Sequence, residues 1–286
     1  MGAFERHHSW RTEIQGLRAV GVATIILFHL WPSLVSGGYV GVDVFFVISG
    51  FLITQMLLRE AEASGRVSLL NFYCRRIRRL LPTATLVLLI VAVFVPLLPP
   101  PRWHETAVQI VASALYVQNW QLARLATDYF GSADLPGPVQ HYWSLSVEEQ
   151  LYLVWPWLIV LCMMTLSTTR KLRPTLTAAF GVVTSLSFII SLWLSFTDAS
   201  YAYFATHARA WEFGVGGLLA FAPQLKSDQL RRLVGYLGLT CILTAAFVFS
   251  RETTFPGTAA LLPTLGAAMV IVAGNTRGGV AAWLER

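Results

Sequence analysis

Charge is scarce in this sequence: Asp, Glu, Lys and Arg make up 13% of its 286 residues, against 55% hydrophobic ones. With a mean hydropathy of +0.59, that composition excludes a water-soluble monomer, which has too little polar surface to cover so much apolar chain. Cysteine is scarcer still, with 3 residues. Cys162 and Cys241 fall inside apolar runs and Cys74 lies beside an arginine cluster, so neither the odd count nor the spacing gives a disulfide framework or a metal site. Internal repeats, low-complexity tracts and a soluble domain are all missing. No small-residue cleavage site follows the first apolar run, which is therefore expected to persist as a signal anchor rather than be removed. Acidic residues number 15 against 21 basic ones. The basic excess sits in short loops between apolar runs, a pattern that fits membrane topology and not a nucleic-acid partner.

What is present is a series of apolar segments. A bilayer core of ~30 Å needs about 20 helical residues, and eight segments meet that length wholly or nearly: 17–36, 39–58, 82–99, 146–166, 176–196, 207–222, 233–250 and 257–274. Gly37-Gly38 reads as the turn of a hairpin between the first two. The basic stretches MGAFERHHSWR, RRIRR at 75–79, RKLR at 170–173 and the Lys226, Arg231, Arg232 group all favour the cytoplasm. They agree with one another only if 103–122 does not cross. That segment carries His104, Glu105, Gln109, Gln118, Asn119 and Gln121 and is expected to be a re-entrant or interfacial amphipathic helix. The fold class is thus an all-α polytopic membrane protein of about eight spans plus that helix, with its N-terminus inside. The polar stretch 123–145 reads as an outer loop, either a substrate entrance or a connector.

Four constellations carry chemistry. Arg18 and His29 share the first apolar segment, and at ~100° and ~1.5 Å per residue their separation puts both on one helix face, roughly 16 Å apart. A turn near Gly37 sets His29 level with the region of Asp43. That aspartate is the expected partner of the imidazole, either orienting it as a general base or simply joining two helices. In FYCRRIRRLLP, Arg76 and Arg79 lie three apart and suit bidentate contact with phosphates, or anchoring to acidic lipid headgroups; Pro82 is expected in the first turn of the span. In HYWSLSVEEQLYLVWPW, Ser146 and one glutamate suit a helix start, while Glu149 and Gln150 are expected to face a polar cavity. In THARAWEFGVGGLLA, Arg209 and Glu212 are spaced to pair, as a structural ion pair or as substrate contacts.

Five stretches in order, EIQGLRAVGVATIILFH, GGYVGVDVFFVISGFLIT, NFYCRRIRRLLP, HYWSLSVEEQLYLVWPWL and RAWEFGVGGLLA, make the chain resemble the acyltransferase family 3 of bacterial inner-membrane O-acyltransferases. Where many relatives have aspartate, this chain has Gln15. The resemblance implies a single transmembrane domain over 1–286 that moves an acyl group, usually acetyl from cytoplasmic acetyl-CoA, to a hydroxyl of a cell-envelope glycan or lipid-linked sugar such as lipopolysaccharide or peptidoglycan. It places Arg18 and His29 in the family's arginine–histidine motif and Arg76 and Arg79 in its paired-arginine motif. Acyl-CoA is the implied donor; joined to the residue reading above, Arg76 and Arg79 are expected to hold its phosphates with Arg18 at the cavity entrance, His29 to act as general base or as an acyl-carrying nucleophile with Asp43 orienting the ring, and Glu149, Arg209 and Glu212 to line the substrate cavity, with no metal. The last two stretches are similar to members fused to a periplasmic SGNH-hydrolase-like domain, whose roughly ten-helix domains continue past Arg286, so the chain is expected to be C-terminally incomplete. Membrane lipids and a glycan acceptor are the expected partners, with no nucleic acid. The rival readings are a proton-coupled transporter of an anionic substrate, built on the same buried charges, and an inactive fragment or scaffold.

Overall fold

The computed structural model describes residues 11–129, 137–165, 171–223, 225–250, 252–275 and 279. The basic N-terminal segment 1–10, the centre of the 123–145 loop at 130–136 and the C-terminal residues 280–286 lie outside them. Among the described residues the only regular structure is helical. Six helical stretches among the described residues are long and apolar enough to cross a membrane: Thr12–Leu30, Gly38–Ser64, Leu69–Leu97, Tyr142–Met164, Leu172–Thr197 and Asp228–Val248. The chain is an all-α polytopic membrane protein. The other two expected spans correspond to helices of 14 residues, Thr206–Leu219, and 13 residues, Leu261–Ala273, short of the ~20 that a straight crossing needs.

The chain divides into two compact units. One comprises Met1–Ile48, Ala222–Thr253 and Ala260–Arg286. It holds α1 (Thr12–Leu30), a 3-10 turn at Gly38–Val40, the start of α2 (Gly41–Ser64), α10 (Asp228–Val248) and α11 (Leu261–Ala273). α10 and α11 cross glycine on glycine: a Cβ on Gly238 would lie 2.5 Å from the Gly266 carbonyl oxygen. Lipid gives apolar side chains no reason to leave it, so such backbone approach is what holds membrane helices together. At one end of this unit the Arg231 guanidinium donates to the carbonyls of Ala273 and Asn275, each at 2.8 Å, closing the C-terminus of α11. At the other end the turn after α1 is tied to the end of α10: Gly37 N–H donates to Ala246 O at 2.9 Å, and Tyr39 OH to Ser250 O at 3.3 Å.

The second unit comprises Ser49–Phe221 and Thr254–Ala259. It holds the rest of α2, α3 (Leu69–Phe94), α4 (Pro101–Ala114), α5 (Gln118–Tyr129), α6 (Tyr142–Met164), α7 (Leu172–Thr197), α8 (Ala199–Phe204) and α9 (Thr206–Leu219). Its core is aromatic, with Trp155 4.5 Å from Phe180 and 4.9 Å from Phe213 between ring centres. The indole N–H of Trp155 is satisfied by Thr54 Oγ1 at 2.8 Å. α2 reaches α9 so closely that a Cβ on Gly50 would collide with the Phe213 carbonyl oxygen. α3 shows the inverse of a soluble pattern: Leu86, Leu89, Ile90, Val93 and Phe94 are exposed, as suits a face whose solvent is lipid.

The segment 103–122 is not one continuous helix. α4 and α5 break at Leu115–Val117, where Tyr116 adopts a left-handed conformation with φ 55°. The break follows from its polar side chains, which bond sideways: Asn119 Nδ2 donates to Phe204 O at 3.1 Å and to Thr206 Oγ1 at 3.0 Å. Two pieces of 14 and 12 residues, each shorter than the ~20 residues of a straight crossing, take the place of the single helix expected.

Candidate functional site

α1 carries Arg18 near its start and His29 in its last turn, with Arg18 half-buried and His29 exposed. The helix stops where it does because Trp31 precedes Pro32, a placement that disfavours the α conformation. His29 Nδ1 lies 2.8 Å from the carbonyl oxygen of Ile25, one turn back. A carbonyl only accepts, so in the neutral ring Nδ1 carries the proton and Nε2 holds the lone pair. Phe28 stands edge-on to the imidazole, with ring centres 5.3 Å apart.

The expected His29–Asp43 contact is not what the structure shows. Asp43 is wholly buried in the first turn of α2, where the positive end of the helix dipole favours a carboxylate. The described contacts of His29 are the Ile25 carbonyl and Phe28. Levelling the two helices about Gly37 failed because the connection is not a two-residue turn; it runs from Trp31 through the 3-10 turn at Gly38–Val40.

In the second unit the four arginines of RRIRR sit on α3, which begins at Leu69. Pro82 is therefore inside the helix and not in its first turn; the carbonyl it leaves unbonded belongs to Arg78, on the exposed arginine stretch. Arg75 approaches Glu60 at 4.0 Å, and Arg79 is exposed. Arg76 is half-buried, with its guanidinium 3.8 Å from the ring centre of Tyr152 and 5.8 Å from that of Phe72.

α6 begins at Tyr142, four residues before the expected cap, so Ser146 is interior and donates to Tyr142 O at 2.9 Å. Glu148 then takes the role that sequence reasoning missed. Its Oε1 accepts from both Ser49 Oγ and Tyr152 OH. The i, i+4 spacing of Glu148 and Tyr152 is legible in the sequence, but Ser49 is reached only through packing. Glu149 is half-buried, with one carboxylate oxygen enclosed and without a hydrogen-bond partner among the described residues. Gln150 does not face an open cavity: it donates to Tyr116 O and Asn119 Oδ1 and accepts from Trp120 and Thr206.

Arg209 and Glu212 do pair, at 3.0 Å, and both side chains are 0% exposed. Arg209 also lies 5.2 Å from the Phe255 ring centre and 5.7 Å from that of Tyr203. The pair is closed off from solvent in this structure and lies wholly within α9. Among the described residues no group of three or more His, Cys, Asp or Glu could hold a metal ion.

A family model described as an acyltransferase domain matches residues 11–283. The chain is 33% identical over 250 residues to the peptidoglycan O-acetyltransferase OatA of Listeria monocytogenes, covering 82% of this chain and 39% of that protein. It is 32% identical over 256 residues to the putative peptidoglycan O-acetyltransferase YrhL of Bacillus subtilis, covering 86% and 40%. With a putative O-acetyltransferase of Staphylococcus aureus the identity is 33% over 252 residues, covering 85% and 41%. The chain thus spans about two fifths of the length of these relatives. No solved structure matches it.

Proposed function

The chain belongs to the acyltransferase family whose domain it matches over residues 11–283, and from that premise we propose that it moves an acyl group, acetyl by the example of its relatives, from acyl-CoA to a hydroxyl of a cell-envelope glycan. Two of the relatives named above carry peptidoglycan in their names, which favours that glycan over lipopolysaccharide. The observation that carries the reading is the contact of His29 Nδ1 with the Ile25 carbonyl oxygen. An exposed imidazole whose Nδ1 proton is committed to Ile25 presents a basic Nε2.

In the reaction, His29 Nε2 takes the proton of the acceptor hydroxyl as its oxygen attacks the thioester carbonyl carbon. The carbon–sulfur bond breaks, and the CoA thiolate leaves and recovers the proton from the imidazolium. Arg76 and Arg79 suit the CoA phosphates, offering planar, permanently charged donors three residues apart on α3. Arg79 is exposed and Arg76 is steadied on Tyr152. The basic stretches favour a cytoplasmic N-terminus in a bacterial inner membrane, which puts Arg18 toward the donor side and His29 toward the acceptor. A periplasmic SGNH-hydrolase-like domain is the partner this reading implies for the whole protein.

The test is acyl-CoA-dependent esterification of a glycan by the whole protein in sealed vesicles. Ester formation lost with His29→Ala supports the reading. Flux of an anion with no ester formed would replace it with a transporter, and normal transfer by His29→Ala would remove His29 from the chemistry.

A further inference from the structure

A cleft of about 360 Å³ opens beside the C-terminal end of α1, lined by Phe28, Pro32, Ser36, Ser250 and Glu252, all within one compact unit. Its walls are held by hydrogen bonds. Ser36 Oγ donates to Phe249 O at 2.5 Å, Ser250 N–H to Thr253 Oγ1 at 3.0 Å, and Glu252 N–H to Ser250 Oγ at 3.2 Å. Phe28 is set between His29, 5.3 Å away, and Tyr39, 5.7 Å away, edge-on to both. The Glu252 side chain is exposed, and its carboxylate makes no ion pair or hydrogen bond among the described residues.

An aromatic ring, an exposed carboxylate with no partner among the described residues and two serines around a small cleft are a mixed surface. A purely apolar ligand would waste the carboxylate, and an anion would be repelled by it. A neutral polyol ring satisfies both parts, its C–H face on the aromatic ring and its hydroxyls donating to the carboxylate. The volume is near the lower end of the roughly 300–1,000 Å³ of small-molecule sites, which suits a single ring with its substituents. We propose that this cleft is a subsite for one uncharged pyranose unit of a glycan, seated on Phe28 with its hydroxyls on Glu252. Phe28 precedes His29 and stands edge-on to its ring, so under the acyl-transfer reading a sugar held here lies beside the histidine-bearing turn of α1. Only that last step rests on the acyl-transfer reading; sugar binding does not.

The experiment measures binding of the β-1,4-linked N-acetylglucosamine tetramer to the whole chain in lipid nanodiscs, without any acyl donor. Glu252→Gln and Phe28→Leu are each expected to weaken binding about tenfold. A tetramer carrying a diazirine, photolysed on the wild-type chain, is expected to label peptides containing residues 28–36 or 249–253, which keeps the test sound should a variant misfold. Unchanged affinity in both well-folded variants, labelling elsewhere, or tighter binding of the de-N-acetylated cationic tetramer than of the neutral one would overturn the proposal. A chain that binds the sugar here yet transfers no acyl group would keep this inference and defeat the proposed function; transfer with no sugar bound here would do the reverse.

Discussion

The guanidinium of Arg76 sits over Tyr152, with its central carbon 3.8 Å from the ring centre. The same tyrosine gives its hydroxyl proton to Glu148. One side chain thus orients a cation by its face while its rim is anchored by a carboxylate, so Arg76 is held before any ligand arrives. Cation–π contacts contribute about 0.5–2 kcal/mol. Tyr152→Leu is therefore expected to raise the KM for acyl-CoA about two- to thirtyfold, with little change in kcat. Tyr152→Phe, which keeps the ring, should raise it less. Steady-state kinetics with varied acyl-CoA checks both.

Arg79 is exposed, so its removal tests phosphate binding with little risk to the fold. Hydrogen bonds to charged groups contribute about 1.5–3 kcal/mol each. Arg79→Ala is expected to weaken acyl-CoA binding about tenfold or more. Arg79→Lys should recover only part, since a point charge does not reproduce a planar fork. Calorimetry with acyl-CoA and with desulfo-dephospho analogues would show whether the lost affinity follows the phosphates.

His29 takes its orientation from its own helix. His29→Ala is expected to lower transfer by about 10²–10⁴, the usual contribution of a general base. Single-turnover labelling with radioactive acyl-CoA and no acceptor separates direct transfer, which leaves His29 unlabelled, from an acyl-imidazole route.

Arg209 and Glu212 form an ion pair without accessible surface. Breaking such a pair from one side costs about 3–5 kcal/mol, because the remaining charge stays buried. Glu212→Gln and Arg209→Met are each expected to lower the thermal midpoint strongly and to reduce folded yield in membranes. The double variant Arg209→Met/Glu212→Leu should recover a large part of it. Fluorescence-detected size-exclusion after heating reads all three, and a double variant no better than the singles would contradict a structural role.

Much of the candidate chemistry was legible because it depends on spacing along one helix. Arg18 and His29, Arg76 and Arg79, and Arg209 and Glu212 each share a face by helical periodicity alone, and the last pair meets as that spacing implies. Readings that needed a helix boundary fared worse. Ser146 looked like a cap, yet α6 starts at Tyr142, where Trp143 packs 4.9 Å from Tyr203 and 5.3 Å from Phe204. Those aromatic contacts draw the earlier residues into the helix. Pro82 is interior for a similar reason, because α3 begins thirteen residues earlier, at Leu69.

By itself the sequence determined the solvent and the membership. Composition is a sum over residues, so scarce charge and long apolar runs decide for lipid without regard to packing, and ordered motifs survive in a family whatever their contacts. Only the tertiary structure decided the partners. It turned His29 onto Ile25 instead of Asp43, put Glu148 between Ser49 and Tyr152, enclosed the Arg209–Glu212 pair, and built the cleft from residues near 30 and near 250. Each of those outcomes depends on how closely two backbones approach and where each helix starts. Local periodicity carries neither quantity, since the same face can meet any neighbour whose glycines and side-chain shapes let it come near.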